Sequence, residues 1–234
     1  MRFIEPMTRS SIRLLGMLAL IAGVASAEPA PRLNPARFIN EISAFGCQEP
    51  EKQGIVFVGS SSIRLWPHLK EDFPGLPVVN RGFGGAMCND LIVYFETVVA
   101  RHEPKLLVSY AGGNDLTPEA HLSVDDAFND YVKFLEMGHD RFPAMRVILI
   151  SVKIAPHRAE QVPQVHQLND RLIGWCTGKD WIRFVDCTSY LADPQGQPIP
   201  TLFVADQIHL TPEGYAGWRA ILDPVLREEW AKVK

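Results

Sequence analysis

The sequence predicts a three-layer α/β/α doubly wound sandwich around a central five-stranded parallel sheet. Two features predict it. Short, nearly continuous apolar runs alternate with stretches of helical spacing, and polar or glycine-rich loops follow the runs. Strands covered on both faces lack the in-out alternation of a half-exposed sheet, so continuous apolar runs mark parallel strands with helices on either side. The runs lie at Ile55 to Gly59, Pro77 to Asn80, Leu106 to Tyr110, Arg146 to Ser151 and Ile182 to Asp186. Helical spacing covers Asp90 to His102, Val124 to His139 and Gln164 to Cys176. A final helix is well signalled by Thr211 as N-cap, Pro212 at the first helical position and Glu213 at the positive end of the helix dipole. In such a fold the site gathers at the carboxyl ends of the strands.

Residues 1–27 are expected to form a secretory signal peptide, with Arg2, Arg9 and Arg13, an apolar stretch from Leu14 to Val24, and then Ala25-Ser26-Ala27. The apolar stretch falls short of the ~20 residues of a spanning helix, which disfavours the alternative of a membrane anchor. The expected mature chain, residues 28–234, is read as one catalytic domain, exported to the periplasm or secreted. It keeps 20 basic and 26 acidic residues, so its net charge moves from −4 to −6. That balance argues against a nucleic-acid partner, whose phosphates require a basic face. Cys47, Cys88, Cys176 and Cys187 allow three disulfide pairings, and buried free thiols are an equal alternative.

The loops after the strands carry the chemistry. They are Gly59-Ser60-Ser61-Ser62 after the first, "NRGFGG" from Asn80 to Gly85 after the second, and "AGGND" from Ala111 to Asp115 after the third; "DQIH", Asp206 to His209, precedes the last helix. Serine is a weak nucleophile without a base in hydrogen-bond reach. His209 is the candidate base, and Asp206, three residues earlier, can hold its other ring nitrogen. Of the three serines, Ser60 suits the turn and Ser62 a helix cap, which leaves Ser61 at the apex. The other six histidines, His68, His102, His121, His139, His157 and His166, show no HExxH spacing and are expected on surfaces or loops; a zinc site is disfavoured and no cofactor is expected.

These four blocks, in order between Ile55 and about Tyr215, resemble those of the SGNH hydrolases, also called the GDSL esterase/lipase family. The resemblance implies a flavodoxin-like fold and acyl-ester hydrolysis by Ser61, His209 and Asp206. It also implies an oxyanion hole made by the backbone N–H groups of Ser61 and Gly85 and the Asn114 amide. One departure is that Ser60 stands where family members carry Asp, which would leave the nucleophile turn less stiff. An α/β-hydrolase has the same Ser, Asp, His order but wants Gly-x-Ser-x-Gly, and Ile63 occupies the second glycine position. The alternative from another class is a non-catalytic envelope protein that holds glycan or lipid on the same fold. A shallow site for short acyl groups is expected. The loop from Lys153 to Gln164 is a candidate to line it, as are Trp66, Phe83 and Tyr110, for which packing in the core is the alternative.

Overall fold

The structure is a computed structural model that describes Met1 and residues 32–234, so the expected signal peptide and the mature start at Glu28 lie outside the described residues. Five strands, β1 (Ile55–Gly59), β2 (Val78–Gly82), β3 (Leu106–Tyr110), β4 (Arg146–Ile150) and β5 (Ile182–Val185), form one parallel sheet in the order β2-β1-β3-β4-β5. Helices α1 (Ile39–Gly46), α2 (Ser61–Arg64), α3 (Leu69–Asp72), α4 (Cys88–Val93), α5 (Phe95–Val98), α6 (Val124–Arg141), α7 (Val162–Cys176) and α8 (Pro212–Ala231) accompany it. Among the described residues no helix is long and apolar enough to cross a membrane.

Adjacent residues of β3 reveal the layers. Ser109 bonds the Tyr131 hydroxyl of α6 at 3.0 Å, whereas the next residue, Tyr110, packs its ring 5.1 Å from that of Trp218 on α8. Successive strand side chains point to opposite faces, so α6 and α8 cover opposite sides of the sheet. Four of the five strands are almost wholly buried, which explains their apolar composition.

Several expected boundaries shift for identifiable reasons. β2 runs two residues further than its apolar run because Arg81 is buried inside the fold, where its Nε donates to His102 Nε2 at 3.0 Å. His102 is therefore a core residue, not a surface or loop one; its Nδ1 lies 2.9 Å from the Glu51 carbonyl oxygen. The single helix expected over Asp90 to His102 is broken into α4, α5 and a 3₁₀ turn at Ala100–His102, with non-helical backbone at Tyr94 and Val99. Ile92, Val93, Val98 and Val99 are β-branched and lose χ1 freedom in a helix, which weakens the continuous form. The final helix starts as expected, with the Thr211 hydroxyl accepting from Gly214 N–H. All four cysteines are free, with Cys47 exposed and the other three buried.

The strand-to-helix turn after β1 depends on Gly59. Its φ is +149°, and a Cβ there would overlap the Tyr110 carbonyl oxygen. Gly85, at φ +78°, has open space where its Cβ would be. We expect Gly59→Ala to cost more than about 3 kcal/mol, combining overpacking with backbone strain, and Gly85→Ala only about 1–2 kcal/mol, the strain alone. Urea unfolding of both variants checks this, and equal losses would contradict it.

Candidate active site

The turn that carries Ser61 is stitched to both neighbouring strands. Ser60 N–H donates to Tyr110 O at 3.1 Å, and Phe83 N–H donates to Gly59 O at 2.9 Å. Ser60, not Ser62, is the N-cap of α2, and its carbonyl accepts from Ile63 and Arg64 N–H groups. The expectation that Ser62 caps the helix is therefore corrected: the backbone enters the helix two residues earlier, at Ser61, and Ser62 is a buried residue within it. Two side chains to which the sequence reading gave no role bond to the backbone of this helix. Asn80 Nδ2 donates to Ile63 O at 2.7 Å, and the Tyr215 hydroxyl of α8 donates to Ser62 O at 2.9 Å. Main-chain and neighbouring side-chain bonds thus brace the turn that has Ser60 in place of Asp.

Ser61 Oγ lies 2.8 Å from His209 Nε2, and His209 Nδ1 lies 2.6 Å from Asp206 Oδ2. The second carboxylate oxygen of Asp206 accepts from the N–H groups of Ile208 and His209 at 2.8 and 2.9 Å. Burial pushes this carboxyl up, but the hydrogen bonds from His209 and Ile208 outweigh it and hold it at about 2. The carboxylate can only accept, so it fixes the proton on Nδ1 and leaves the Nε2 lone pair for the Ser61 hydroxyl. The loop that carries the pair is tight. Gln207 adopts a left-handed φ of 56°, and Val204 N–H closes onto His209 O at 2.8 Å.

Ser61, His209, Gly85 and Asn114 line one cleft of ≈ 440 Å³, together with Glu41, Arg64, Gly84, Arg158 and Ile208. The backbone N–H groups of Ser61 and Gly85 have no hydrogen-bond partner among the described residues. Asn114 Nδ2 donates to Ala86 O at 2.9 Å, which ties the third-strand loop to the second. Behind it, Asp115 Oδ1 accepts from Cys88 N–H at 2.9 Å, at the start of α4. Trp66, Phe83 and Tyr110 pack in the core and not on the cleft.

The loop after β4 reaches the cleft through Arg158 and supports it through Lys153, two residues that no motif marked. Lys153 is buried, and its Nζ donates to the carbonyl oxygen of Ile208, the residue before His209, at 2.7 Å; burial pulls this amine down to about 7. Arg158 breaks the short 3₁₀ helix Pro156–Gln161 with non-helical φ/ψ of −126° and 34°, and donates to Gly113 O at 2.9 Å and Asn114 Oδ1 at 3.1 Å. The signal available in the sequence was only that a charged residue follows a strand's carboxyl end.

The profile of the GDSL-like lipase/acylhydrolase family matches residues 50–216. The chain belongs to that family. It is accordingly an ester-bond hydrolase, and its parallel α/β sheet is the family's fold. Among solved structures, it is similar to a GDSL-like lipase from Bacteroides thetaiotaomicron, at 23% identity and TM-score 0.70, over 83% of this chain and 98% of that one. It is also similar to a candidate acylhydrolase from Bacteroides fragilis, at 22% identity and TM-score 0.72, over 84% and 98%. A carbohydrate esterase family 3 protein from Talaromyces cellulolyticus shares 15% identity at TM-score 0.61, over 77% and 99%. A comparison with curated protein sequences gives no match.

Asp115 generates a test of how the family's third loop is held. It is fully buried, its Oδ2 has no partner among the described residues, and burial pushes its carboxyl up to about 7 against the bond from Cys88. The unfolded chain releases this proton near pH ~4, so between ~4 and about 7 only the folded state keeps it. Its contribution to stability is therefore complete at low pH and is lost as pH rises through that window. Asp115→Asn should remove the slope, which can approach ~1.4 kcal/mol per pH unit. Relative to the parent, the variant should gain stability from pH 4 to 7 and then level off in melts across that range. A constant difference would contradict the assignment.

Proposed function

We propose that this protein is a serine esterase that hydrolyses short-acyl carboxylic esters through Ser61, His209 and Asp206. The observation that carries the reading is the continuous hydrogen-bonded chain from Asp206 through the His209 ring to Ser61 Oγ. His209 Nε2 takes the proton as Ser61 Oγ attacks the ester carbonyl. The oxygen that becomes negative faces the free N–H groups of Ser61 and Gly85 and the Asn114 amide, which act as the oxyanion hole. The protonated His209, steadied by ionised Asp206, gives its proton to the leaving alcohol. A water then loses a proton to the same histidine, attacks the acyl-serine and releases the acid.

The cleft wall supports the substrate class. Ile208 is its one aliphatic side chain, whereas Glu41, Arg64 and Arg158 carry charge. A long acyl chain would find little apolar surface to bury, and each CH₂ left exposed would forgo about 0.8 kcal/mol. Short acyl groups on a polar small-molecule or glycan alcohol fit such a wall better than lipid does. The Arg-rich, apolar and small-residue order of residues 1–27 supports export to the periplasm or exterior as the place of action.

With p-nitrophenyl esters, kcat/KM should fall from acetyl to octanoyl. Ser61→Ala should lower kcat by roughly 10⁴-fold or more, while Ser60→Ala and Ser62→Ala stay within about tenfold of the parent. Asn114→Ala should lower kcat about 10²- to 10³-fold with little change in KM, because its bond tightens only as the oxyanion forms. A dead Ser60 variant beside an active Ser61 variant would refute the assignment.

A further inference from the structure

The Asn114 side chain presents a physical problem if its N–H is to face a developing anion. The two ends of a primary amide are almost the same size and shape. A half-turn would place the Oδ1 lone pairs where the N–H should be, turning an attraction into a repulsion. Something must hold one orientation in a cleft open to water.

The partners of the amide do so asymmetrically. Nδ2 donates one N–H to Ala86 O, and Oδ1 accepts from Arg158 Nη2. In the flipped orientation Oδ1 would meet the Ala86 carbonyl, acceptor against acceptor, and the NH₂ would meet the guanidinium, donor against donor. Arginine has no acceptor and does not lose its proton in proteins, so it can satisfy only the oxygen end at any working pH. The guanidinium is itself anchored, since its other terminal nitrogen donates to Gly113 O one residue earlier in the chain. Its planar fork therefore fixes both the backbone and the side chain of the same loop. The backbone of Arg158 is held in turn, because the N–H of its neighbour His157 donates to Gln207 O in the Asp206 to His209 loop at 3.1 Å. Arg158 forms no ion pair with any described residue, so its full charge stands beside the amide it orients.

We propose that Arg158 is a positioning residue for the oxyanion hole: it locks the Asn114 amide with its second N–H toward the reacting carbonyl and polarises that donor. The inference rests on the reading of Asn114 as an oxyanion donor. The positive end of a charge-assisted bond on Oδ1 draws electron density from the amide nitrogen, which strengthens its remaining N–H as a donor. The effect belongs to the transition state, when the carbonyl oxygen carries charge, and not to the bound ester.

The test is a double-mutant cycle on p-nitrophenyl acetate, with Arg158→Met, Asn114→Ala, the pair together, and Arg158→Lys, each checked for folding by circular dichroism and a thermal melt. Arg158→Met should lower kcat about 10- to 100-fold, the size expected for a lost bond to a charged donor, with KM within about twofold. In the Asn114→Ala background the same change should cost less than about threefold, because the amide it orients is gone. Arg158→Lys should recover part of kcat, since an ammonium can reach one of the two acceptors but not both. Multiplicative losses in the double variant would overturn the proposal, as would a raised KM with kcat intact, which would make Arg158 a substrate-binding group. Full activity in Arg158→Met with a slow Asn114→Ala would overturn it while leaving the oxyanion reading in place. Full activity in Asn114→Ala would remove the oxyanion reading and this inference with it.

Discussion

The site depends on the close approach of two backbones at the end of the sheet, where Gly59 lies against the Tyr110 carbonyl with no room for a side chain. That contact lets β1 end abruptly, passes the chain into α2 at Ser61, and allows Ser60 N–H to bond to the neighbouring strand. Because β1 is flanked by β2 and β3 in parallel register, the loops after both strands emerge beside the same turn. Gly85 and Asn114 reach Ser61 for this reason, and neither needs a long excursion of the chain.

The proposed acid and base arrive differently. Asp206 and His209 belong to a short turn that does not follow a sheet strand directly; its geometry is set by Asp206 itself, which accepts two backbone N–H groups as well as the ring. The loop after β4 supports that turn from beneath through Lys153 and from the side through His157, and it grips the Asn114 loop through Arg158. One segment therefore links the Asp206 to His209 turn, proposed to move the proton, to the Asn114 loop, proposed to receive negative charge. Such a link ties two loops from different parts of the chain together by hydrogen bonds alone, since the four cysteines are free.

The strands were legible where their runs were purely apolar: β1 and β3 begin and end where composition says they should. β2 was read as ending at Asn80, two residues short, because Asn80 and Arg81 read as the start of a loop until Ile63 O, Gly82 N–H and His102 are seen to take up their hydrogen bonds. Those partners lie up to 21 residues away, and no periodicity encodes them. The proposed site residues were legible because a nucleophile, its base and their acid leave fixed residue types at fixed places, and the structure brings Ser61, Gly85, Asn114, Asp206 and His209 together. Arg158, Lys153 and Asp115 were not, because each acts by holding something else, and many residue types with a suitable donor or acceptor can do that from many positions.

The central claim is that the Asp206 to His209 to Ser61 chain makes one hydroxyl, out of three adjacent serines, reactive toward acyl carbon. The direct measurement is labelling of the purified protein with a fluorophosphonate, which reacts with activated serine hydroxyls, followed by peptide mapping by mass spectrometry. A single adduct on Ser61 that disappears in His209→Ala is the predicted result. An adduct on Ser60 or Ser62, or labelling of Ser61 that persists at the same rate without His209, would contradict it.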